Sequence, residues 1–413
     1  MIGKTNAVSK PGVELSLVVS VTTGATVTAT KGSKVVSGTA SGGSCVLPLP
    51  EAGTWSVKAT LNGETSDTKS VSVVDSYAVA LTFFSATITV EVDSGASVTL
   101  KKGSTTVATK TSTGTAVFTV KETGTYTVEA TKNGQTVSGS VNVVSGTTAY
   151  TLALSFVSST LNDNDWSVIK SVSDAGQGAN YWSIGDRKAV TLNGTVNAWT
   201  LSNVTTYAFI IGFNHNATVE GSNRIHFQLA KTALSGGADV CLCDNYYGNT
   251  SGGFRMNASQ TNSGGWASSN MRTAICGTSL SSYSGTFLAV IPAELRAVLK
   301  SVTKYTNNTG NSTAASAVTA TTDYFFLLSE YEVFGSTKYA NSSEASKQAQ
   351  YAYYSAGNSK IKYKHNATST AARWWLRSPR AGYSYYFVNV YTDGTVNYNI
   401  ATYSSGFAPG FCV

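Results

Sequence analysis

Charge is scarce in this chain. Of its 413 residues, 29 are lysine or arginine and 22 are aspartate or glutamate, so that charged residues make up 12% of the chain, about half the usual share. The formal net charge of +7 is spread thinly. Because nucleic-acid binders usually carry a denser basic stripe with interleaved aromatic rings, we expect no nucleic-acid partner. The notable basic cluster comprises Lys360, Lys362, Lys364, Arg373, Arg377 and Arg380.

Long apolar runs and a cysteine framework are also missing. The N-terminal "MIGKTNAVSKPGVELSLVVSV" has no apolar stretch long enough for a signal peptide or a membrane span, so we expect neither membrane insertion nor secretion by the usual route. The cysteines are odd in number and irregularly spaced, which indicates reduced thiols in a chain folded in a cytoplasm. A Cys-x-Cys spacing alone is weak evidence for metal, and we expect no bound metal and no other cofactor. The cysteines are Cys45, Cys241, Cys243, Cys276 and Cys412.

A catalytic constellation is not visible either. His215, His226 and His365 are scattered, with no neighbouring acid at motif spacing. The sequence contains neither paired carboxylates nor a nucleophile elbow. We therefore predict that the protein is not an enzyme and has no catalytic residues.

Serine, threonine, glycine and asparagine take the place of the missing charge. Helix-forming residues are scarce, whereas β-branched and turn residues are plentiful, which predicts a mainly β protein with many short strands. The hydrophobic content of 42% is enough for well-filled cores. A chain of this length suits two to four domains.

The first 155 residues contain a repeat with an offset of 71 residues, which pairs Gly24 with Gly95. In each copy, alternating runs such as "VTAT" and "YTVEA" are separated by glycine-containing turns, which is typical of a small antiparallel sandwich. Asn62-Gly63 and Asn133-Gly134 predict tight hairpin turns, because both central residues can take positive φ. We interpret residues 12–83 and 84–155 as two immunoglobulin-like β-sandwiches that act as spacers, preceded by an attachment segment at residues 1–11.

Residues 156–413 differ from the repeat in composition, and we predict that they form one α+β domain. They contain every arginine, all three histidines and all tryptophans except Trp55. The best helix candidates are residues 287–306 and 325–335, with Pro292 near the start of the first. Residues 307–321, rich in Gly, Asn, Ser and Thr, are predicted to form a loop.

Six phrases stand out in this third domain: "YWSIGD" (181–186), "GGWASSNMR" (264–272), "FFLLSEYEVFG" (325–335), "RWWLRSP" (373–379) with Trp374, Trp375, Arg377 and Pro379 as its structural motif, "DGTVNY" (393–398) and "GFAPGFCV" (406–413). Together they resemble the DUF6273 family of phages and Gram-positive gut bacteria. That family is similar to the C-type-lectin-like fold of formylglycine-generating enzymes and of the variable proteins of diversity-generating retroelements, which include phage tropism determinants. The resemblance implies a scaffold whose last β-hairpin displays a ligand-binding surface. The calcium-binding tripeptides of true C-type lectins, Glu-Pro-Asn and Gln-Pro-Asp, are absent.

The last hairpin, "YFVNVYTDGTVNYNIA", has the period of two of a strand pair. A three-residue loop, 392–394, with Gly394 in the left-handed region would set Val390 against Val396 and Asn389 against Asn397. We expect one face to pack on the domain over Trp374 and Trp375 and the other to be displayed. Tyrosine offers a large contact area at a low entropy cost, because binding fixes only two side-chain torsions. Serine and asparagine adapt their hydrogen bonds to the ligand, as in antibody binding sites. The predicted receptor-binding residues are Tyr383, Ser384, Tyr385, Tyr386, Asn389, Tyr391, Asn397, Asn399, Tyr403 and Ser404.

These observations favour a phage virion protein, a tail-fibre or head-fibre adhesin located on the particle after folding in the host cytoplasm. Its expected partners are a host cell-surface glycan or protein, other virion proteins through the N-terminus, and further copies of itself, with a trimer as the expected oligomer. The alternative is a structural decoration protein of the virion, whose third domain packs on neighbouring subunits. An ordinary β surface would also use tyrosine and asparagine.

Overall fold

The computed structural model describes residues 15–196 and 199–413. The chain forms two compact units, and the boundary between them in the sequence falls between Phe156 and Val157. Strands predominate over helices, so the predicted mainly β class is confirmed. Within the described residues, no helix is long and apolar enough to cross a membrane. The predicted attachment segment, residues 1–11, lies outside the described part of the chain.

The first copy of the repeat forms two sheets around one core, in the orders β4-β1-β8 and β3-β2-β5-β6, with β7 paired to β5. Every second residue of the long strand β5 is buried, and this alternation places Trp55 fully inside the core. The strands are β1 Ser16–Ser20, β2 Thr26–Lys31, β3 Lys34–Thr39, β4 Ser44–Pro48, β5 Gly53–Leu61, β6 Glu64–Thr65, β7 Lys69–Val73 and β8 Ser76–Ala80.

The second copy repeats this arrangement with sheets β12-β9-β15 and β11-β10-β13-β14, and Tyr126 takes the buried place of Trp55. Both predicted Asn-Gly turns are confirmed: Asn62 and Asn133 have φ of 50°, and the glycines that follow have φ of 83° and 81°. The strands are β9 Ala86–Val92, β10 Ser97–Lys102, β11 Thr105–Thr111, β12 Gly114–Val120, β13 Gly124–Lys132, β14 Gln135–Val143 and β15 Ala149–Ala153.

The unit Val157–Val413 combines four sheets with short helices around one large core. Its sheets have the orders β16-β17-β18-β28-β22, β19-β23-β24, β20-β21 and β25-β26-β27. Short 3-10 helices cover Leu161–Asp163, Ala315–Ala317 and Ser342–Ser346, and Met271–Cys276 forms a π-helical turn. The other elements are α1 Trp166–Asp174, α2 Gly178–Tyr181, β16 Arg187–Val196, β17 Trp199–Phe213, α3 Ala217–Glu220, β18 Ile225–Lys231, β19 Val240–Cys241, α4 Phe287–Val290, α5 Ala293–Val298, β20 Val302–Asn307, β21 Val318–Asp323, β22 Phe325–Phe326, α6 Glu330–Phe334, α7 Ala352–Ser355, β23 Lys362–Lys364, β24 Ala367–Ala372, β25 Trp374–Pro379, β26 Tyr386–Val390, β27 Val396–Ile400 and β28 Gly410–Cys412.

The helix predictions in this unit are only partly right. The stretch 287–306 contains two short helices, Phe287–Val290 and Ala293–Val298, which are separated at Pro292, and Val302–Asn307 is the strand β20, which pairs with β21. The predicted loop 307–321 therefore ends in a strand from Val318. In the stretch 325–335, helix α6 begins only after Ser329, whose hydroxyl accepts a hydrogen bond from the Glu332 backbone in a capping box.

A buried arginine joins strand β25 to helix α6 and strand β20. The Arg377 guanidinium donates hydrogen bonds to both Glu332 carboxylate oxygens, to the Leu327 carbonyl at 2.9 Å and to the Thr306 hydroxyl at 2.8 Å. The side chains of Arg377 and Glu332 are both fully buried. The predicted structural motif "WWLRSP" thus places its one charged side chain inside the domain, where only a paired arginine is tolerated.

A buried lysine extends the same network to helix α3. The Lys304 ammonium lies 2.7 Å from Glu220, 2.9 Å from Glu332 and 2.8 Å from the Tyr351 hydroxyl. Burial opposes ionisation of Glu332, but Arg377 and Lys304 outweigh this effect and hold its pKa well below its usual range. Two cations and two carboxylates therefore fix four segments that are distant in the sequence.

Replacing Arg377 by alanine is expected to lower the free energy of unfolding of this unit by about 3–5 kcal/mol, because Glu332 would lose one of its two buried cations. Urea unfolding followed by tryptophan fluorescence measures this loss. The matched control is Arg373→Ala, at a partly exposed arginine without an ion pair to any described acid, which should cost less than about 1 kcal/mol. Equal losses in the two variants would contradict the role given to Arg377.

Candidate functional site

The hairpin β26–β27 has the predicted register. Asn389 lies opposite Asn397, and Val390 lies opposite Val396. The loop spans three residues, with Gly394 at φ of 86°, in the left-handed region. The Asp393 carboxylate accepts a hydrogen bond from the Thr395 backbone at 2.9 Å, which stabilises the turn.

The predicted division into a packed face and a displayed face is wrong for strand β26. All four residues from Phe387 to Val390 are fully buried, so both faces of this strand are covered. The strand lies between β25 and β27, where Trp374 pairs with Val390 and Trp375 pairs with Asn389, and its apolar side chains belong to the core of the domain. Asn389 therefore lies inside the domain, and neither of its amide atoms has a hydrogen-bond partner among the described residues. It is not part of an accessible surface.

Ser404 is a second predicted site residue that is buried. Its hydroxyl donates a hydrogen bond of 2.8 Å to the Asp244 carboxylate, which also accepts one from the Phe254 backbone. The Ser404 side chain thus joins two segments of its own domain, around positions 244 and 404. The expectation that Ser404 is displayed is incorrect.

Strand β27 provides one part of the accessible surface, since all five of its residues are partly exposed. The side-chain oxygens of Asn397 and Asn399 accept hydrogen bonds from the backbone of the following residues, Tyr398 and Ile400, at 2.7 and 2.8 Å. These bonds cover two backbone donors of an edge strand, which reduces pairing with another chain. The NH2 group of each amide is left without a partner in the described part of the chain and can donate to a ligand.

The loop before β26 provides the other part. Tyr383 is 45% exposed, Ser384 is exposed, and Tyr385 and Tyr386 are half-buried. The buried Asn262 donates hydrogen bonds to the carbonyls of Tyr383 and Tyr386, at 2.6 and 3.0 Å. This anchor holds the loop in place, and no sequence motif marked it in advance.

Four tyrosine rings surround the guanidinium of Arg380, and we call this group the Arg380 cluster. The guanidinium carbon lies 3.5 Å from the ring centre of Tyr383 and 3.7 Å from that of Tyr398. The rings of Tyr339 and Tyr386 lie farther away, at 5.6 and 5.5 Å, and both contact Tyr398 edge-on. Three of these residues, Arg380, Tyr339 and Tyr398, were not among the predicted site residues. Arg380 and Tyr339 reach the surface from outside the hairpin, and Tyr398 was expected on the packed face but is partly exposed.

Tyr391 and Tyr403 are half-buried and separate from this cluster. Tyr391 follows the buried Asn389 by two positions, so it points to the face opposite Tyr386 and Tyr398. The guanidinium of Arg373 lies 4.5 Å from its ring centre. The predicted residues therefore divide between two faces, and the Arg380 cluster is the denser group.

Three buried residues, His215, Glu220 and Glu332, have ligand atoms within 4.8 Å of one another and could in principle hold a metal ion. The ammonium of Lys304 already bonds both carboxylates. Burial lowers the pKa of His215 to about 3, so that its ring is neutral. Lysine thus supplies the positive charge that an ion would bring, and the group fits a structural role.

The five cysteines are free and buried. The sulfur atoms of Cys241 and Cys243 lie 3.8 Å apart. The hydrogen bond between them and burial raise the pKa of Cys243 well above its usual range, which disfavours the thiolate that metals require.

Two cavities lie away from the hairpin. One of about 730 Å³ is lined by residues of the first unit, including Lys102 and Lys121. Another, of about 530 Å³, is lined by Trp166, Lys188 and Pro292 among others. The hairpin residues line neither of them.

The 3-10 helix Ser342–Ser346 carries a further buried acid, Glu344, which contacts strand β25. Glu344 accepts hydrogen bonds from the Asn307 backbone at 2.9 Å and from the Ser378 hydroxyl at 2.7 Å. Ser378 precedes Arg380 by two positions in the chain. Burial raises the pKa of Glu344 to about 7, against the opposing effect of these hydrogen bonds.

Residues 239–413 match the family Domain of unknown function (DUF6273). This match covers the hairpin and the "RWWLRSP" phrase and confirms the family part of the resemblance, while the phrase "YWSIGD" lies before it. No curated protein matches the chain. Among solved structures, the chain is similar to CBMbc, a family CBM26 module from Eubacterium rectale Amy13K crystallised with maltoheptaose, at 12% identity and a TM-score of 0.14 over 34% of this chain and 92% of that one. A TM-score this low does not indicate a shared fold.

Replacing Glu344 by glutamine is expected to change how stability depends on pH. The carboxyl ionises near its ordinary value of 4.5 in the unfolded chain and near 7 in the folded unit, so the stability it contributes below pH 4.5 is lost as the pH rises to 7. The free energy of unfolding of the wild type minus that of E344Q should therefore fall across this interval, by at most about 1.4 kcal/mol per unit of pKa shift. Urea unfolding at several pH values measures it.

The exposed Glu294→Gln serves as the control for the loss of one negative charge. A difference between wild type and E344Q that does not change from pH 4.5 to 7 would show that the Glu344 carboxyl ionises normally in the folded unit.

Proposed function

We propose that this protein is a virion fibre protein of a phage, an adhesin that binds a host cell-surface receptor. The receptor-binding surface consists of strand β27, the loop 381–386 and the flanking residues Tyr391 and Tyr403, in a domain with a C-type-lectin-like fold. The accessible candidates among the predicted residues are Tyr383, Ser384, Tyr385, Tyr386, Tyr391, Asn397, Asn399 and Tyr403.

One observation carries this proposal. Accessible tyrosine and asparagine side chains lie on a loop and an edge strand, and the neighbouring strands β25 and β26 of the same sheet are buried, including Trp374, Trp375 and Phe387. Such residues supply contact area and adaptable hydrogen bonds, and a rigid base keeps the entropy cost of binding low. The same residues on a surface without a rigid, buried base would lose more entropy on binding a ligand.

The two N-terminal modules act as immunoglobulin-like spacers in this proposal. Each has two sheets around its own core, and the exposed hydrophobic residues of this unit, such as Val35, Val74 and Val107, are scattered along the chain rather than grouped in one segment. Several copies on one particle, as in a trimer, would strengthen individually weak contacts through a high effective concentration. Attachment to other virion proteins is assigned to the N-terminus.

The alternative is a structural decoration protein whose third domain packs on neighbouring subunits. Pairing of strand β27 with a neighbour is the simplest such contact, but Asn397 and Asn399 cover two of its outward backbone donors. The structural role is for this reason the second candidate.

The triple variant Tyr385→Ala, Tyr391→Ala and Asn397→Ala is expected to reduce binding to host cells by about tenfold or more, because it removes two aromatic contacts and one amide donor. Labelled protein on Gram-positive gut bacteria, counted by flow cytometry, provides the measurement, and circular dichroism checks the fold. The matched control is Tyr77→Ala, which removes a tyrosine that is 45% exposed in the first module. Unchanged cell binding of the triple variant would refute the site, and burial of the same residues in an assembled particle would favour the decoration role.

A further inference from the structure

The positive charges at the Arg380 cluster form no salt bridge within the described residues. Among the described residues, neither Arg380 nor the exposed Lys338 beside Tyr339 forms an ion pair. The buried acid Glu330 accepts hydrogen bonds from the backbone of Tyr339 and Ala340 and interacts electrostatically with Lys338. The Arg380 guanidinium therefore remains a charge without an ion-pair partner in the described part of the chain.

The stacking of Arg380 leaves its hydrogen-bonding edge free. A guanidinium carries its five N–H donors in its own plane, whereas aromatic rings cover its faces. Tyr383 and Tyr398 lie at stacking distance, and within the described residues the Arg380 side chain makes no hydrogen bond. The rings therefore fix the cation in one orientation and leave its edge open to a planar or tetrahedral anion.

The surrounding tyrosines favour such a ligand further. A side-chain hydrogen bond with Tyr385, together with partial desolvation, raises the pKa of Tyr386, so its phenol does not repel an anion. A phenol hydroxyl can also donate a hydrogen bond to an anion. The free N–H donors distinguish Arg380 from Arg296, which also stacks on a tyrosine but donates its hydrogen bonds to the carbonyls of Leu288 and Ile291.

We propose that the Arg380 cluster is the subsite for an anionic group on the host receptor, namely a carboxylate or phosphate borne by a surface glycan. Arg380 binds the anion edge-on through two N–H groups, Lys338 adds a second positive charge, and the tyrosine rings contact the neighbouring sugar. The inference depends on the proposed function, because it names the chemical class of the receptor for the same surface.

The full-length protein is tested by biolayer interferometry against three immobilised probes: sialyllactose, which carries a carboxylate, a glycerol phosphate oligomer, and neutral lactose. At least one anionic probe should bind about tenfold or more tightly than lactose, as expected for one bidentate charged contact. The affinity should fall with added salt, since the site is exposed. The comparison of the two anionic probes distinguishes a sugar acid from a polyol phosphate.

Arg380→Gln should abolish the preference for the anionic probe, and Arg380→Lys should retain part of it, because lysine keeps the charge without the planar fork. The control is Lys347→Gln, which removes an exposed cation lying 5.7 Å from the Tyr305 ring in the same domain and should change the affinity by less than about twofold. Melting temperatures confirm that each variant is folded.

Two results would overturn the inference: neither anionic probe binds better than lactose, or Arg380→Gln keeps the preference. Host-cell binding separates this failure from that of the proposed function. If the triple variant at Tyr385, Tyr391 and Asn397 loses cell binding while Arg380→Gln keeps it, the adhesin stands and its receptor is neutral at this subsite.

Discussion

The buried ion network of Arg377, Glu332, Lys304 and Glu220 is the constraint on which the third domain depends. Removing charges from water costs several kcal/mol for each ion unless they are paired and hydrogen-bonded. Here each cation meets a carboxylate, and Arg377 also bonds the backbone and a hydroxyl. Moving α3, α6, β20 or β25 out of contact would leave at least one of these buried charges without a partner, so the network disfavours such arrangements.

The position of β25 determines the candidate surface. Strands β25 and β27 pair with the two edges of β26, and Trp374 and Trp375 of β25 are buried. The exposed residues of this sheet are therefore on β27 and on the loop that enters β26. Arg380 follows β25 directly, where the chain leaves the core. The same short phrase therefore supplies a buried cation at Arg377 and, three residues later, an accessible one at Arg380. Their environments, not their residue type, separate a structural role from the binding role proposed here.

Patterns confined to neighbouring residues were predictable. The Asn-Gly turns follow from the ease with which both residues adopt positive φ, and the register of Val390 with Val396 follows from side-chain alternation and the three-residue loop. The strand Val302–Asn307 was predicted as a helix because a short apolar run fits either period, and only its pairing with β21 decides between them. Asn389 and Ser404 were expected at the surface because they are polar and lie close to accessible tyrosines in the sequence, but contacts with distant segments bury both.

The sequence by itself determined the mainly β class, the repeat, the hairpin turns and the register of the last ribbon, since these depend on φ preferences and on a period of two within a few residues. The tertiary structure alone decided which faces are covered, which charges are paired, and that Arg380 and Tyr339 join the tyrosines of the hairpin. Those properties depend on contacts between segments far apart in the chain, and burial, which sets the strength of every charge and hydrogen bond, exists only once these segments have packed.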